Sequence, residues 1–226
     1  MAKPVTITAQ KAVNSNIISP VEWEDEMKKI IFATGNSDKL HEIRMILDEL
    51  GIEVVSMKEA GAFLEVEENG DTFEENALIK ARALCEKTGE ITLADDSGLE
   101  IDYLNKEPGI YSSRYLGTET PYSEKNANLL KRMEGVPDEN RTARFVCAVA
   151  VVFPDGRCEV VRGTMEGRVA YKEAGVNGFG YDPIFYLPEY GCTSAEISPE
   201  EKNRISHRGK ALRLMRDKLR ELKVVS

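Results

Sequence analysis

Long apolar runs are missing from this chain of 226 residues, and none approaches the roughly 20 residues that a membrane-spanning helix needs. The first residues, MAKPVTITAQKAV, lack the apolar stretch of a secretory signal. Basic residues are outnumbered, 30 against 39 acidic ones, and the net charge of −9 disfavours a broad face for DNA or RNA. The four cysteines show neither metal-binding nor redox spacing: Cys85, Cys147, Cys158 and Cys192. These absences predict a cytoplasmic protein with neither a membrane nor a nucleic-acid polymer as partner, and they leave a small anionic ligand open.

What the chain contains is typical of one globular domain. Hydrophobic residues make up 42% and charged residues 31% of it, and its length suffices for one sizeable core. Residues 1–26 show no sustained periodicity, and Met27 reads as a natural start. We interpret residues 1–26 as an N-terminal extension or a remnant of cloning, and residues 27–226 as a single domain that no repeat or low-complexity linker divides.

An apolar run stops at two adjacent carboxylates in the stretch Leu93–Leu99. Asp95 and Asp96 repel each other and are costly to bury without a cation or hydrogen-bond donors. Mg²⁺ binds carboxylate oxygens together with substrate phosphates, so a strand that ends at paired acids is a signal of phosphate chemistry. An ordinary turn fits the stretch equally well, because aspartate, serine and glycine are all common in turns.

The first confident strand, residues 30–33, leads through a polar turn into a helix that the apolar spacing extends to Gly51. Such a turn presents backbone N–H groups and a helix N-terminus to an anion. Lys39 falls in the first turn of that helix, where a cation is unfavourable unless an anion offsets it. The Walker A pattern is absent. Thr34–Lys39 is therefore either a phosphate-binding turn or a plain connection.

A second helix begins near a capping box at Asp71–Glu74 and ends at Gly89. Asn76 and Lys80 lie four residues apart on it, so they share a face and either approach a ligand together or form a solvated polar face. Three acids precede this helix, and one of them could complete a metal site with Asp96: Glu65, Glu67 and Glu68.

The last third of the chain adds a hairpin, a glycine-rich loop and two helices. Pro154–Gly156 joins a long strand, Thr142–Phe153, to a second strand over Cys158–Arg162, which predicts a mixed sheet. The loop Gly175–Pro183 alternates glycines with aromatic residues, which suits contact with a flat ligand or a hairpin with aromatic plugs. A capped helix starts after Ser198, and a break at 206–209 precedes the final amphipathic helix.

A series of motifs, in order from Met27 to about Leu222, resembles the Ham1/inosine triphosphate pyrophosphatase family: ATGNSDKLHEI, DTFEENALIKARA, LADDSGLEID, GIYSSRYLG, GFGYDPIF and EEKNRISHRGKAL. The resemblance implies an α/β fold with a mixed central sheet flanked by helices and a cleft between two lobes. It also implies a Mg²⁺-dependent, homodimeric enzyme that hydrolyses deaminated purine nucleotides (ITP, dITP, XTP) to the monophosphate and pyrophosphate, which cleanses the nucleotide pool.

The resemblance further implies roles for individual residues on the phosphate side. Asp96 would bind the metal and activate water, and the second metal ligand would precede the DTFEEN helix, where we choose Glu67. Lys80 and Lys202 would add positive charge, and Ser97 would touch the substrate. The triphosphate would lie on the first turn of the chain: Thr34, Gly35, Asn36, Ser37, Asp38 and Lys39.

On the other side, His207 and Arg208 would identify the base by donating hydrogen bonds to the 6-oxo group of hypoxanthine or xanthine, donors that adenine would leave unpaired. Base and sugar would be enclosed by one segment: Phe179, Gly180, Tyr181 and Asp182. Two alternatives remain. One is a related pyrophosphatase for modified pyrimidine or standard triphosphates, and the other is a nucleotide-binding protein without hydrolytic activity.

Overall fold

Seven strands and five helices make up the part of the protein that the computed structural model describes, residues 30–49, 52 and 54–225. The strands are β1 (Ile30–Phe32), β2 (Val54–Ser56), β3 (Ile91–Ile101), β4 (Thr142–Val152), β5 (Cys158–Val169), β6 (Phe185–Leu187) and β7 (Cys192–Thr193). The helices are α1 (Ser37–Glu49), α2 (Phe73–Thr88), α3 (Tyr122–Arg132), α4 (Pro199–Ile205) and α5 (His207–Glu221). The predicted segment 1–26, the start at Met27 and the helix end at Gly51 lie outside the described residues.

All seven strands form one sheet in the order β2-β1-β3-β4-β5-β6-β7. The first strand is parallel to both of its neighbours, whereas every pair from β3 onward is antiparallel. The parallel strands are connected through α1 and α2, and a short turn at 153–157 closes the antiparallel pair of β4 and β5, so one sheet combines both kinds of connection. The predicted mixed sheet flanked by helices is confirmed.

Helices cover both faces of this sheet, since side chains along β3 and β4 alternate between the faces. On one face α1 and α5 pack against side chains such as Leu93 and Val149. On the other face α2 packs its small apolar residues against Ala94 and Ala148. A third cluster, built around α3, Phe145 and Phe185, forms a second lobe at the far end of the long strands. No helix in the described part of the chain is both long and apolar enough to cross a membrane.

The strand that carries the two aspartates does not end at them, and the stretch is not a turn either. β3 continues for five residues beyond Asp96, because β4 pairs with it through this region, with Asp95 opposite Val149 and Asp96 opposite Ala148. The strand that does end there is β1, whose last residue, Phe32, lies opposite Leu93. The acids therefore lie in the middle of a rigid strand, next to the point where its parallel neighbour stops.

Some other helix and strand boundaries differ from the predicted ones because of local hydrogen bonds. Thr72 caps α2 by accepting from the Glu75 N–H at 3.1 Å, one residue later than the predicted capping box. Ser206 caps α5, so this helix already begins at His207 within the predicted break. β5 extends to Val169 instead of Arg162, because β4 pairs with it over its whole length. The predicted cap at Ser198, which accepts from the Glu201 N–H, is confirmed.

Candidate active site

A cleft of about 330 Å³ lies between the two lobes. It is bordered by the turn after β1, the middle of β3, the loop before α2, the loop before β6 and the start of α5. Ser37 and Asp38 are exposed and do not line it. The other predicted substrate and catalytic residues do line it: Thr34, Gly35, Asn36, Lys39, Lys80, Asp96, Ser97, Phe179, Gly180, Tyr181, Asp182, Lys202, His207 and Arg208. The fold therefore brings together segments that are up to 170 residues apart in the chain.

Asp95 belongs to the face of β3 that α1 and α5 cover. Its carboxylate lies 3.3 Å from Lys39 Nζ and 3.6 Å from an Arg208 nitrogen, and it accepts from the Ser97 hydroxyl. Complete burial acts to raise the pKa of Asp95, but the charges of Lys39, Arg208 and Lys80 outweigh it and hold the pKa well below its usual range. Asp95 is thus a permanently charged group, and it is the anion that offsets Lys39 at the start of α1.

Asp96 points to the opposite face, toward α2. One oxygen lies 3.3 Å from Lys80 Nζ, and the other accepts from the Asn76 amide at 3.3 Å. Burial raises the pKa of Asp96, and the nearby charges of Glu68 and Asp95 add to this against the opposing effect of Lys80 and Lys39. Neighbouring aspartates with pKa values shifted in opposite directions are typical of a site that performs chemistry.

Glu68, rather than the predicted Glu67, faces the cleft. Its carboxylate contacts Lys80 Nζ at 2.9 Å and Arg114 at 3.4 Å, so Lys80 bridges Glu68 and Asp96. Glu67 is exposed and does not line the cleft. The segment at 62–70 is irregular, and no periodicity in the sequence indicates which of its side chains turns inward.

The turn after β1 is held by its own side chains. Asn36 Oδ1 accepts from the N–H groups of Asp38 and Lys39, at 2.9 and 3.0 Å, and thereby caps α1. Thr34 Oγ1 accepts from the Asn36 N–H at 3.2 Å. Nothing lies within 4 Å of the place that a Cβ would take at Gly35, so the backbone there is open toward the cleft.

Behind the cleft, charges of alternating sign connect three helices. Glu42 of α1 accepts from Lys202 of α4 at 2.8 Å with one oxygen and from Arg208 of α5 with the other. Lys202 also donates to Asp182 at 2.6 Å. Burial acts to lower the pKa of Lys202, but Asp182 and Glu42 outweigh it and raise that pKa. Asp182 itself accepts from the Phe179 N–H at 2.9 Å and from Ser194, so it anchors the glycine-rich loop.

His207 and Phe179 form the apolar wall of the cleft. The ring of His207 stacks on Phe145 with 4.9 Å between centroids, and its Nδ1 has no hydrogen-bond partner among the described residues. Burial first, and then the charges of Arg208 and Lys202, lower the pKa of His207 far below its usual value, so the ring is neutral. Lys202 and Arg208 lie 5.2 and 5.8 Å from the centre of the Phe179 ring. An unpartnered ring nitrogen beside an aromatic face suits a flat heterocycle.

Sequence reasoning missed two residues of this region. Glu42 follows Lys39 by three residues on α1 and therefore shares its face. This spacing is visible in the sequence, but it is too common among helical residues to identify Glu42 as part of a site. Tyr122, which lines the cleft, packs edge-on against Tyr181 with centroids 5.2 Å apart. This contact joins segments nearly 60 residues apart, and no local pattern predicts it.

The carboxylates on the α2 side fit a hard divalent cation. No three histidine, cysteine, aspartate or glutamate side chains of the described residues converge on one point. Mg²⁺ is commonly held by one or two carboxylates, with waters and substrate phosphates completing its octahedral shell. Asp96 and Glu68, joined by the ammonium group of Lys80, provide that number and type of donor.

Comparisons with known proteins identify the family to which this chain is similar. The model of the Ham1 family matches residues 30–218. A dITP/XTP pyrophosphatase of Desulforamulus reducens is 50% identical over 185 residues, which are 82% of this chain and 92% of that protein. A dITP/XTP pyrophosphatase of Vibrio vulnificus is 48% identical over 201 residues, 88% of this chain and 100% of that protein.

Solved structures of Ham1 proteins are also similar to this chain. The structure of a HAM1 protein from Coxiella burnetii has a TM-score of 0.78 and 43% identity, and the match covers 86% of this chain and 100% of that one. The likeness therefore extends over the whole length of the relative and includes both lobes. Because the family model matches residues 30–218 and these relatives are 43–50% identical over 82–88% of the chain, the chain belongs to the Ham1 family.

Proposed function

We propose that the protein hydrolyses deaminated purine nucleoside triphosphates (ITP, dITP and XTP) to the monophosphate and pyrophosphate, and so removes them from the nucleotide pool. The observation that carries the proposal is one cleft in which the carboxylates Asp96 and Glu68 and the wall formed by Phe179 and His207 face the same cavity. The relatives from Desulforamulus reducens and Vibrio vulnificus are dITP/XTP pyrophosphatases, which supports this substrate class.

The charges around the cleft argue that a divalent cation binds with the nucleotide. A triphosphate carries about four negative charges at neutral pH, and ion-pairing cations or metals must offset them. Among the described residues, four cations and five carboxylates line this cleft: Lys39, Lys80, Lys202 and Arg208 against Glu65, Glu68, Asp95, Asp96 and Asp182. Each of these cations already contacts a carboxylate. The lysines alone therefore provide no surplus charge.

We propose that Asp96 and Glu68, instead of Glu67, hold Mg²⁺. When bound, this ion would supply positive charge to the phosphates and to the pyrophosphate leaving group. Lys80 contacts both carboxylates and would remain beside the phosphates. Thr34, Gly35 and Lys39 would face the triphosphate from the turn after β1.

Asp96 would orient the attacking water at the α-phosphorus. Its position in the middle of a strand is rigid, and in-line attack depends on such fixed geometry. Ser97 lies next to Asp96 and accepts from Arg208 at 3.1 Å, which connects the reacting end to the base end of the cleft.

The base would lie against Phe179, with His207 and Arg208 at its polar edge. A 6-oxo group satisfies donors from this pair, whereas the 6-amino group of adenine would leave them unpaired in a buried site. Guanine also carries a 6-oxo group, so its rejection would depend on its 2-amino group.

One assay tests the proposal. Pyrophosphate release is measured with Mg²⁺ from ITP, XTP, GTP, ATP and dUTP, and phosphate release is measured in parallel. We expect pyrophosphate from ITP and XTP at rates well above those for the other three. Absence of release from ITP and XTP would contradict the proposal, and preferential cleavage of dUTP would favour a pyrimidine-directed enzyme.

The variant Asp96→Asn controls for contaminating hydrolases. It keeps the shape of the side chain but removes its charge, so turnover is expected to fall by about 10²-fold or more while the fold is retained. Near-normal turnover in a folded Asp96→Asn protein would remove Asp96 from the mechanism.

Three further proposals remain. Composition and sequence pattern support one domain over residues 27–226 and a cytoplasmic location, and the family resemblance supports a homodimer. Light scattering coupled to size-exclusion chromatography measures the last directly. A monomeric mass at micromolar concentration would contradict it.

A further inference from the structure

Asn76 lies directly behind the proposed metal site and is completely buried. It is not among the residues that line the cleft, so it does not contact a ligand there. Both ends of its amide are nevertheless used: Oδ1 accepts from the Gly70 N–H at 2.9 Å, and Nδ2 donates to Asp96 Oδ2 at 3.3 Å. Because the Gly70 N–H can only donate, the orientation of the amide is determined.

The contact with Gly70 requires a very close approach of the loop to α2. A Cβ at position 70 would lie 2.9 Å from Asn76 Oδ1 and 2.7 Å from the Glu75 Cβ, and only glycine avoids this overlap. Gly70 follows Glu68 by two residues, so the hydrogen bond to Asn76 fixes the segment that carries Glu68. One side chain therefore holds both the strand that carries Asp96 and the loop that carries Glu68.

We propose that Asn76 is a positioning residue that sets Asp96 and Glu68 at the separation a divalent cation requires. This inference rests on the proposed function, since it assigns a role within the same metal site. Lys80, one turn further along α2, also donates hydrogen bonds to both carboxylates, but its ammonium group rotates on a flexible stem and does not fix their orientation. Asn76 adds the directional part: it orients Asp96 and it anchors the loop.

The test measures metal binding in the absence of nucleotide. Mn²⁺ is titrated into the wild type and into Asn76→Leu, which has similar volume and no hydrogen-bonding groups, and free Mn²⁺ is followed by electron paramagnetic resonance. Loss of such an outer partner of a metal site weakens metal affinity or activity by about 10- to 100-fold. We expect a decrease of that size in Mn²⁺ affinity and in kcat on ITP, with KM changed by less than about threefold.

Asn128→Leu is the matched control. Asn128 is a half-buried asparagine of α3 that accepts from the Tyr115 hydroxyl, away from the cleft. If Asn76 had only a structural role, both variants would lower the melting temperature and neither would change Mn²⁺ affinity, and that result would overturn the proposal. Asn76→Ser, whose short hydroxyl cannot reach both partners, replaces the leucine variant if that one does not fold.

The outcome separates this inference from the proposed function. A wild type that neither binds Mn²⁺ nor cleaves ITP refutes the proposed function. A wild type that does both, together with an Asn76→Leu protein that equals Asn128→Leu in Mn²⁺ affinity, refutes the positioning role alone.

Discussion

Asp95 and Asp96 are neighbours in the chain, yet the pKa values of their carboxyl groups shift in opposite directions. Each residue faces a different side of β3, so Asp95 meets Lys39 and Arg208 whereas Asp96 meets Lys80, Glu68 and the interior of the cleft. The repulsion between adjacent acids, which suggested a shared metal, is reduced because the strand separates them. Only Asp96 remains suited to accept a proton.

Arg208 gives a prediction at the residue scale. Replacing it by alanine should reduce the preference for ITP over ATP by about tenfold or more, because the variant loses the donor that a 6-oxo group satisfies. The kcat/KM ratio for the two substrates measures the effect.

Arg208→Lys is the companion variant, since alanine also removes one of the cations that contact Glu42 and one of those that contact Asp95, and leaves Lys202 and Lys39 as their remaining partners. Lysine keeps the charge but not the planar fork. An unchanged ITP/ATP ratio in both variants would place recognition of the base elsewhere.

Site residues that lie close together in the chain could be predicted from the sequence. Contacts between residues that are far apart in the chain could not. Asn76 and Lys80 were placed on one face by their spacing of four, and both contact Asp96. Glu68 could not be separated from Glu67, because the irregular loop before α2 has no period. The partners of Glu42 lie 160 residues away or more.

At the scale of elements, β3 depends on a close contact at Gly98. A Cβ there would overlap the carbonyl oxygen of Gly109 and the hydroxyl of Ser112, and it would approach Phe73 of α2 at 3.0 Å. Ser112 in turn accepts from the Leu99 N–H at 2.9 Å and thereby fastens the turn to the strand. A turn at Gly98 was one of the two interpretations that the sequence left open, whereas the glycine lies within β3 and lets a separate turn pack on the strand.

Gly98→Ala should therefore destabilise the protein by about 1–3 kcal/mol, the usual effect of excess volume in a packed site. For a chain of this size that corresponds to a decrease in melting temperature of roughly 2–12 °C. Calorimetry measures it, and a melting temperature equal to that of the wild type would contradict the packing argument.

The apolar patterns predicted the elements well, because helical and extended periodicities are local. The apolar positions predicted for the first two helices are buried on opposite faces of the sheet, as Ile43 and Ala77 illustrate. The length of β3 was not predictable. Polar residues in the middle of a strand resemble a turn in sequence, and only the pairing with β4 shows that the strand continues.

At the scale of the molecule, the balance of charge around the cleft determines how it can bind an anion. Among the described residues that line it, carboxylates outnumber cations by five to four, in a protein whose net charge is −9. Nucleotide affinity should therefore depend on added divalent cations, and it should fall by about tenfold or more in EDTA, since nearby charges interact strongly in a partly buried site. Calorimetric titration with a non-hydrolysable ITP analogue measures this.

Asp96→Asn tests the same charge argument in the opposite direction, because it should raise nucleotide affinity in the absence of divalent cations. Removing one carboxylate makes the charge of the cleft less negative, so this variant should bind the analogue more tightly than the wild type when EDTA is present, although it turns over little substrate. Equal affinity of the wild type with Mg²⁺ and with EDTA would show that the lysines alone hold the phosphates.

The placement of two acids on opposite faces of one strand has a consequence for how this protein can change over generations. Side chains alternate along a strand, so a single inserted or deleted residue between Ile91 and Ala94 would exchange the faces of Asp95 and Asp96. Because both side chains are aspartates, one of them would take the position of the other, and a neutral residue would fill the position that is left: Ala94 beside Lys39 after an insertion, or Ser97 beside Lys80 after a deletion. A change in the length of β3 at this point therefore removes one of the two pairings in a single step, whichever direction it takes.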